Sequence, residues 1–311
     1  MAITAGAGHS LGVTSRAVRR AIIAGMSGSV PLYDTIGTSY SATRQADPRI
    51  AAQIRTALGD ARSVVNVGAG TGAYEPADLE VIAVDPSPVM ISQRPPGTIR
   101  ATEASAESLP LDDDSVDAAM AVLSDHHWAD RAAGLREMCR VARHRVVLVN
   151  FEPEAVESFW LTRDYLPQFV DLIPKPYRTR GRWWHDVREL LGGDARLSAL
   201  GVPHDCSDGF YMAYWRRPHA YLQADVRDNI SVFHRISSAD VDNAMEALRS
   251  DLDDGTWLER NSPLMKLAEA DVGLRIVVAE LPDWSVALCG RQLHRPSSPK
   301  PTGRSRDSTP G

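Results

Sequence analysis

Three glycines and one aspartate have the spacing of a site for a nucleoside. Gly68, Gly70 and Gly72, called here the glycine loop, follow a β-branched run at Ser63–Val67, and Asp85 ends the next such run. Glycine lets the chain turn tightly and bring backbone N–H groups against a ligand that a Cβ atom would exclude. An acidic side chain at the end of the neighbouring strand can accept hydrogen bonds from both hydroxyls of a ribose. The pattern predicts a nucleoside-type cofactor.

The glycine loop alone does not decide which cofactor binds. Its letters GAGTGA, which include Ala69, also satisfy the dinucleotide pattern G-x-G-x-x-G/A, so NAD or FAD fits this loop too. A purely structural turn between a strand and a helix would have the same letters. The elements and motifs around the loop must discriminate among these interpretations.

The segments around the glycine loop alternate between strand-like and helix-like patterns. Such alternation predicts a parallel sheet with right-handed crossovers, which binds ligands at the carboxyl ends of its strands. The glycine loop and Asp85 both lie at such ends. Predicted strands span residues 63–67, 81–84, 98–103, 115–123, 145–150, 197–202 and 274–281, and predicted helices lie at 48–58, 73–80, from Asp130, at 156–160 and at 240–252.

Three motifs after the glycine loop stand in a characteristic order. They are Asp85 with Pro86, AESLPLDDDSVD at residues 106–117, and LSDHHW at residues 123–128. In this order they resemble the class I methyltransferases that use S-adenosyl-L-methionine (SAM), particularly the ubiquinone and menaquinone biosynthesis C-methyltransferases. The resemblance covers residues 33–149. It implies methyl transfer from SAM and a Rossmann-like seven-stranded, mostly parallel α/β sheet. After Phe151 the alternation breaks, which predicts a helical cap insertion.

The resemblance also implies which residues hold SAM. The segment YDTIGTSYSATR, residues 33–44, would fold over the cofactor and bring three side chains to its methionine end. Family members commonly have an aspartate at the position of Ser105, where it meets the adenine amino group, so we expect a different adenine contact here. The implied set is Tyr33, Tyr40, Arg44, Gly68, Ala69, Gly70, Gly72, Asp85, Pro86, Ser105, Ala106, Glu107 and Leu123.

Two adjacent histidines are the candidate catalytic residues. His126 and His127 follow the fourth predicted strand, near the expected position of the methyl group, and a histidine could take a proton from an acceptor hydroxyl or carbon acid. The alternative is that they pack and orient the site, because displacement at a sulfonium can rely on positioning and exclusion of water. No metal is expected, since His204, Asp205 and Cys206 are consecutive and lack partners elsewhere in the sequence.

The acceptor is expected to bind under the cap insertion, residues 151–271, which is rich in aromatic residues, prolines and arginines. Residues 202–218 could line its pocket or form a surface turn, and Trp183, Trp184 and His185 could contact it or pack in the cap. The predicted acceptor is a small molecule with an oxygen, nitrogen or carbon nucleophile. Two other functions stay open: an NAD(P)-dependent oxidoreductase, and a SAM-binding protein without activity.

Composition and charge indicate an ordinary folded enzyme. The 311 residues are 43% hydrophobic and carry a net charge of -6, which disfavours nucleic acid and anionic membranes as partners. No apolar run approaches the roughly 20 residues of a spanning helix, and three dispersed cysteines favour a cytoplasmic location. We expect a methyltransferase domain over 32–290 between disordered segments 1–31 and 291–311. Translation could begin at Met1 or Met26, and the oligomeric state is open.

Overall fold

The computed structural model describes residues 45–192 and 194–282. The two predicted terminal segments, 1–31 and 291–311, lie outside these ranges, as do Tyr33, Tyr40 and Arg44. Within the described ranges, none of the helices combines the length and the apolar character that crossing a bilayer requires.

The first described helix, α1 (Pro48–Ala57), begins at an aspartate cap. Asp47 is completely buried, and its side chain accepts a hydrogen bond from the backbone N–H of Arg49 at 2.9 Å. Proline at the first helical position suits this start, because its missing N–H would have no partner inside the helix. Ile50 and Ile54 form the buried face. The helix predicted at 48–58 is confirmed.

Nine strands form two sheets in the described part of the chain. Most of them coincide with the β-branched runs of the sequence, and the run predicted at 197–202 is divided between two short strands. In chain order they are β1 (Ser63–Val67), β2 (Glu80–Asp85), β3 (Ala101–Glu103), β4 (Val116–Val122), β5 (Ala142–Phe151), β6 (Arg196–Ala199), β7 (Val202–Pro203), β8 (Glu269–Ala270) and β9 (Leu274–Glu280).

The main sheet has seven strands in the order β3-β2-β1-β4-β5-β9-β6, and β7 pairs with β8 in a separate two-stranded sheet. Strands β1 to β5 are parallel, whereas β9 is antiparallel to both of its neighbours. The predicted seven-stranded, mostly parallel sheet is therefore confirmed. The strand order changes direction between β1 and β4, and ligands of such sheets bind at this switch point, beyond the carboxyl ends of the strands.

The helices after α1 are shorter than the sequence pattern suggested in two places. The crossover from β1 to β2 contains turns and no helix, so the helix predicted at 73–80 is wrong: Pro76 interrupts a segment that is already short for helix nucleation. The helix predicted at 156–160 is broken at Phe159, whose backbone is extended. The helices are α2 (Pro88–Ser92), α3 (Arg131–Val141), α4 (Pro153–Ser158), α5 (Trp160–Asp164), α6 (Arg182–Leu191), α7 (Ala224–Asp228), α8 (Ser238–Asp253) and α9 (Thr256–Asn261).

Short 3-10 turns complete the described elements. They connect the helices of the predicted cap, and one of them follows β4. Their bounds are Asp125–His127, Pro167–Leu172, Lys175–Arg178, Pro218–Leu222, Ser231–His234 and Leu264–Lys266.

Two apolar layers enclose the main sheet. Val64 and Val65, consecutive in β1, belong to different layers because side chains of a strand alternate between its faces. Helix α1 and much of the predicted cap, including Trp160, cover the Val64 face, while α3 and α6 cover the other. The predicted cap also supplies β6 to the edge of the sheet and an aromatic cluster in which Trp160 meets Tyr221 at 5.6 Å and Trp257 at 5.3 Å.

Asp47 connects α1 to the predicted cap and supports a test of stability. Its carboxylate also accepts a hydrogen bond from Ser207 N–H at 3.1 Å, and its hydrogen bond with the Arg49 side chain lowers the pKa of the carboxyl group to about 2. Because the folded-state pKa is depressed, this stabilisation is complete above about pH 4 and is lost as the pH falls towards 2.

We expect Asp47→Asn to lower the free energy of unfolding by about 1 to 2 kcal/mol at pH 7, and by less at pH 3. Urea unfolding of both proteins at each pH measures the difference. Asp78→Asn is the matched control, because Asp78 also forms a salt bridge with an arginine, Arg55, but is exposed. Solvent screens this pair, so we expect Asp78→Asn to change the free energy of unfolding much less. An Asp47→Asn effect that is equal at both pH values would contradict the linkage.

Candidate functional site

The glycine loop leaves the carboxyl end of β1 in conformations that favour glycine. The φ angles of Gly68, Gly70 and Gly72 are 72°, 51° and 85°. The N–H of Gly68 donates to the carbonyl of Val84 at 2.9 Å, which ties the loop to β2. A Cβ atom at Gly68 would lie 2.5 Å from the Cβ of Ser124, so no larger residue fits there without movement. The loop thus forms a cradle of bare backbone at the switch point.

Asp85 joins the glycine loop to the end of β2. One carboxylate oxygen accepts the N–H of Gly70 at 2.7 Å and the other accepts the N–H of Ser87 at 2.8 Å. The residue is only 7% exposed. A carboxylate offers roughly four lone-pair positions, which allows one side chain to hold a loop and also accept hydrogen bonds from ligand hydroxyls. Its place and chemistry suit the ribose role predicted from the sequence.

A buried ion pair closes the other side of the glycine loop. The Arg94 guanidinium contacts the Glu75 carboxylate and donates to the Gly70 carbonyl at 3.1 Å, and both side chains of the pair are less than a tenth exposed. Glu75 also accepts a hydrogen bond from the Asn66 side chain at 3.2 Å. Sequence reasoning missed this pair, because neither residue belongs to a motif and only the fold brings them together.

The segment after β3 adjoins both Asp85 and the start of α3. The N–H of Ala104 donates to the Asp85 carbonyl at 3.2 Å, and the Glu107 carboxylate accepts the N–H of Asp130 at 3.0 Å. Ala106 is buried, while Ser105 is exposed. This placement puts the predicted adenine contacts next to the predicted ribose contact.

The predicted SAM-binding residues within the described ranges all lie at or just beyond carboxyl ends of parallel strands. None of them falls at the opposite edge of the sheet. They are Gly68, Ala69, Gly70 and Gly72 after β1, Asp85 and Pro86 at β2, Ser105, Ala106 and Glu107 after β3, and Leu123 after β4.

The chain takes an unusual conformation as it leaves β4. Leu123 has a φ of 52°, which is uncommon for a residue other than glycine and is found preferentially at functional sites. Its N–H donates to the Val149 carbonyl at 2.8 Å. Ser124 then donates its hydroxyl to the Val67 carbonyl at 2.8 Å, which fixes the turn against β1.

A buried network holds the turn Asp125–His127. The Asp125 carboxylate, 1% exposed, accepts hydrogen bonds from the Asn150 amide and, at 2.7 Å, from Arg131 Nε. The Arg131 guanidinium in turn stacks on the Trp183 ring at 5.4 Å. These contacts supply the donors and the aromatic cover that a buried charge needs. Sequence analysis placed Asp125 in this motif beside the histidines without a role, and it missed Arg131 and Asn150.

His126 and His127 lie at the carboxyl end of β4 with exposed side chains. Their ring centroids are 3.9 Å apart with the planes tilted by 45°. Asp125 is buried while both histidines are exposed, so the turn presents the histidine rings at the carboxyl edge of the sheet. This arrangement is compatible with both of the predicted roles, proton transfer and orientation.

His204 and Asp205 form a turn with Asp205 exposed, as the surface-turn interpretation expects, whereas most of the residues from 208 to 218 are buried. Phe210 and Tyr211 belong to the aromatic core, and burying them outweighs the turn character of the preceding polar residues. Asp208 is fully buried and accepts a hydrogen bond from the Tyr74 hydroxyl at 2.8 Å. Tyr74 follows the glycine loop, so this bond links the loop directly to the predicted cap.

The other residues singled out in the cap occupy different environments. Trp183 is buried and packs on Arg131, which matches the packing interpretation, while His185 is exposed. The Asp205 carboxylate forms a salt bridge with the Arg49 guanidinium at 2.8 Å. Burial raises the pKa of the Cys206 thiol to about 12, which keeps the thiol protonated at neutral pH.

Comparisons with known proteins agree with this architecture. Residues 65–150 match the profile of a methyltransferase domain. The ubiquinone/menaquinone biosynthesis C-methyltransferase of a Geobacter species is 30% identical over 172 residues, which cover 49% of this chain and 72% of that relative. An uncharacterized methyltransferase of Mycobacterium tuberculosis is 42% identical over 143 residues, 43% of this chain and 48% of the relative. The chain thus spans about half the length of the mycobacterial relative.

A solved structure is similar over more of the chain. It is described as a methyltransferase from an antibiotic biosynthesis pathway of Anabaena variabilis, is 32% identical, and has a TM-score of 0.68 over 76% of this chain and 98% of that one. The seven-stranded, mostly parallel sheet of this chain matches the Rossmann-like fold of such methyltransferases. The chain belongs to the class I methyltransferase family.

Proposed function

We propose that the protein transfers the methyl group of SAM to a small-molecule acceptor with an oxygen, nitrogen or carbon nucleophile. The observation that carries the proposal is the buried Asp85 carboxylate, which holds the glycine loop beside the end of β2 where a ribose can reach it. Membership of the methyltransferase family favours this function over an NAD(P)-dependent oxidoreductase. A cytoplasmic location and a dissolved acceptor, with neither nucleic acid nor membrane as partner, are part of the proposal.

The residues at the carboxyl edge fit SAM by their chemistry. The glycine loop offers backbone to the methionine part, Asp85 accepts from the ribose hydroxyls, and Ala106 offers an apolar contact to adenine. Tyr33, Tyr40 and Arg44 are proposed for the methionine end. When bound, SAM supplies a methyl group activated by a positively charged sulfur.

The remaining chemistry requires positioning and exclusion of water. Displacement in line with the sulfur–methyl bond is accelerated when the acceptor is held close and correctly oriented. We propose that the cap closes the acceptor pocket and that His126 and His127, held by Asp125, orient the acceptor or take its proton. The atom that would receive this proton is a ring nitrogen of His126 or of His127.

Calorimetric titration separates the candidate functions. We expect binding of S-adenosylhomocysteine, the product that SAM leaves behind, and none of NADH. Binding of NADH alone would refute the methyltransferase proposal. Tight binding of SAM without turnover across a broad acceptor panel would instead indicate a SAM-binding protein without activity.

Replacing Asp85 tests the ribose contact. Because charge-assisted hydrogen bonds are lost, Asp85→Ala should weaken S-adenosylhomocysteine binding on the order of tenfold to several hundredfold. Glu80→Ala, at the exposed amino end of the same strand, is the control and should bind normally. An unchanged dissociation constant for Asp85→Ala would mean that this carboxylate does not contact the ligand.

Replacing Gly68 tests the cradle. Gly68→Ala adds a Cβ that meets Ser124 and also carries the strain of a positive φ, whereas Gly97→Ala has a φ of 85° but open space around the new Cβ. We expect Gly97→Ala to cost roughly 1 to 3 kcal/mol of unfolding free energy and Gly68→Ala clearly more. Urea unfolding measures both, and equal losses would argue against close packing at Gly68.

A further inference from the structure

One buried hydrogen-bond donor at the carboxyl edge of the sheet has no acceptor. The indole nitrogen of Trp128, two residues beyond the exposed His126, is shielded from solvent and makes no hydrogen bond to any residue within 45–192 or 194–282. An N–H group that has lost its water without gaining an acceptor is unfavourable, so such groups in native proteins call for an explanation. A bound ligand that brings an acceptor is one such explanation.

Close packing holds the Trp128 ring in place. A Cβ atom at Gly134 of α3 would lie 2.3 Å from the six-membered part of the ring, and a Cβ atom at Gly68 would lie 3.6 Å from the indole nitrogen. The ring therefore packs against α3 where only glycine permits it, and its nitrogen lies beside the first residue of the glycine loop. This packing fixes the orientation of the Trp128 indole N–H.

The surroundings of Trp128 indicate which part of the ligand it meets. Asp130, two residues later, donates its N–H to Glu107, and the segment that contains Glu107 is hydrogen bonded through Ala104 to Asp85. The ribose of SAM carries adenine on one side and the methionine sulfur on the other, and the segment that contains Glu107 is the one predicted to meet the adenine. The ring nitrogens of adenine carry lone pairs that can accept a hydrogen bond from an indole N–H.

We propose that the Trp128 indole N–H donates a hydrogen bond to a ring nitrogen of the adenine of SAM. The proposal rests on the proposed function, because it takes the ligand to be SAM. It makes Trp128 a determinant of base selection: a base that lacks an acceptor nitrogen at this position leaves the buried N–H unsatisfied and binds more weakly.

Trp257 provides a matched control. Its indole nitrogen is also buried without a hydrogen-bond partner, and the residue is 2% exposed. It lies on α9 inside the aromatic cluster, where its ring meets the Trp160 ring nearly at right angles. Trp257→Phe removes the same atoms as Trp128→Phe, but from the apolar core of the predicted cap.

Calorimetry of S-adenosylhomocysteine with both variants tests the proposal. We expect Trp128→Phe to bind about three- to tenfold more weakly than the wild type, since one neutral hydrogen bond is lost, and Trp257→Phe to bind normally. The 1-deaza, 3-deaza and 7-deaza analogues each remove one ring nitrogen. One of these three should bind the wild type and Trp128→Phe equally, because the accepting nitrogen is missing from it.

Nuclear magnetic resonance gives a readout that does not depend on affinity. The indole N–H signal that is missing from Trp128→Phe should shift in the wild type when S-adenosylhomocysteine is added. Equal affinity of the wild type and Trp128→Phe, or a difference that persists with all three analogues, would overturn the role of Trp128 alone. Failure of the wild type to bind S-adenosylhomocysteine would refute the proposed function itself.

Discussion

The buried carboxylate of Asp85 is the contact on which the site depends. A charge out of water needs donors, and Asp85 takes them from the backbone of two separate segments, at Gly70 and Ser87. Backbone N–H groups cannot rotate independently of the chain as side chains can, so these hydrogen bonds fix the segments at Gly70 and Ser87 relative to β2. The glycine loop is therefore shaped before a ligand arrives, which reduces the ordering that binding requires.

A second buried carboxylate organises the other side of the switch point. Asp125 takes donors from Asn150 at the end of β5 and from Arg131 at the start of α3, so it fixes the turn after β4 as Asp85 fixes the loop after β1. The two turns meet where Ser124 contacts the loop. The carboxyl edge is thus held by polar contacts, while apolar packing on both faces holds the strands.

The sequence pattern predicted those elements whose structure depends on neighbouring residues in the chain. The run Ser63–Val67 is a strand with the predicted bounds, because β-branched residues buried on both faces allow little else. The glycines and Asp85 were found because a motif preserves their spacing. The Glu75 and Arg94 pair and the donor of Trp128 depend on contacts between distant segments, which periodicity does not contain. The helix predicted at 73–80 is an error of another kind: a short crossover helix was expected where the segment forms only turns.

The predicted cap is hydrogen bonded directly to the segment that follows the glycine loop. Tyr74, which follows the glycine loop, donates its hydroxyl to the fully buried Asp208 of the predicted cap. Moving either group would leave a buried polar atom without this partner, so the loop and the cap segment constrain each other. Asp208 is therefore a structural link between the two segments. Replacing this carboxylate by an apolar residue would remove the hydrogen bond that joins Tyr74 to the cap segment.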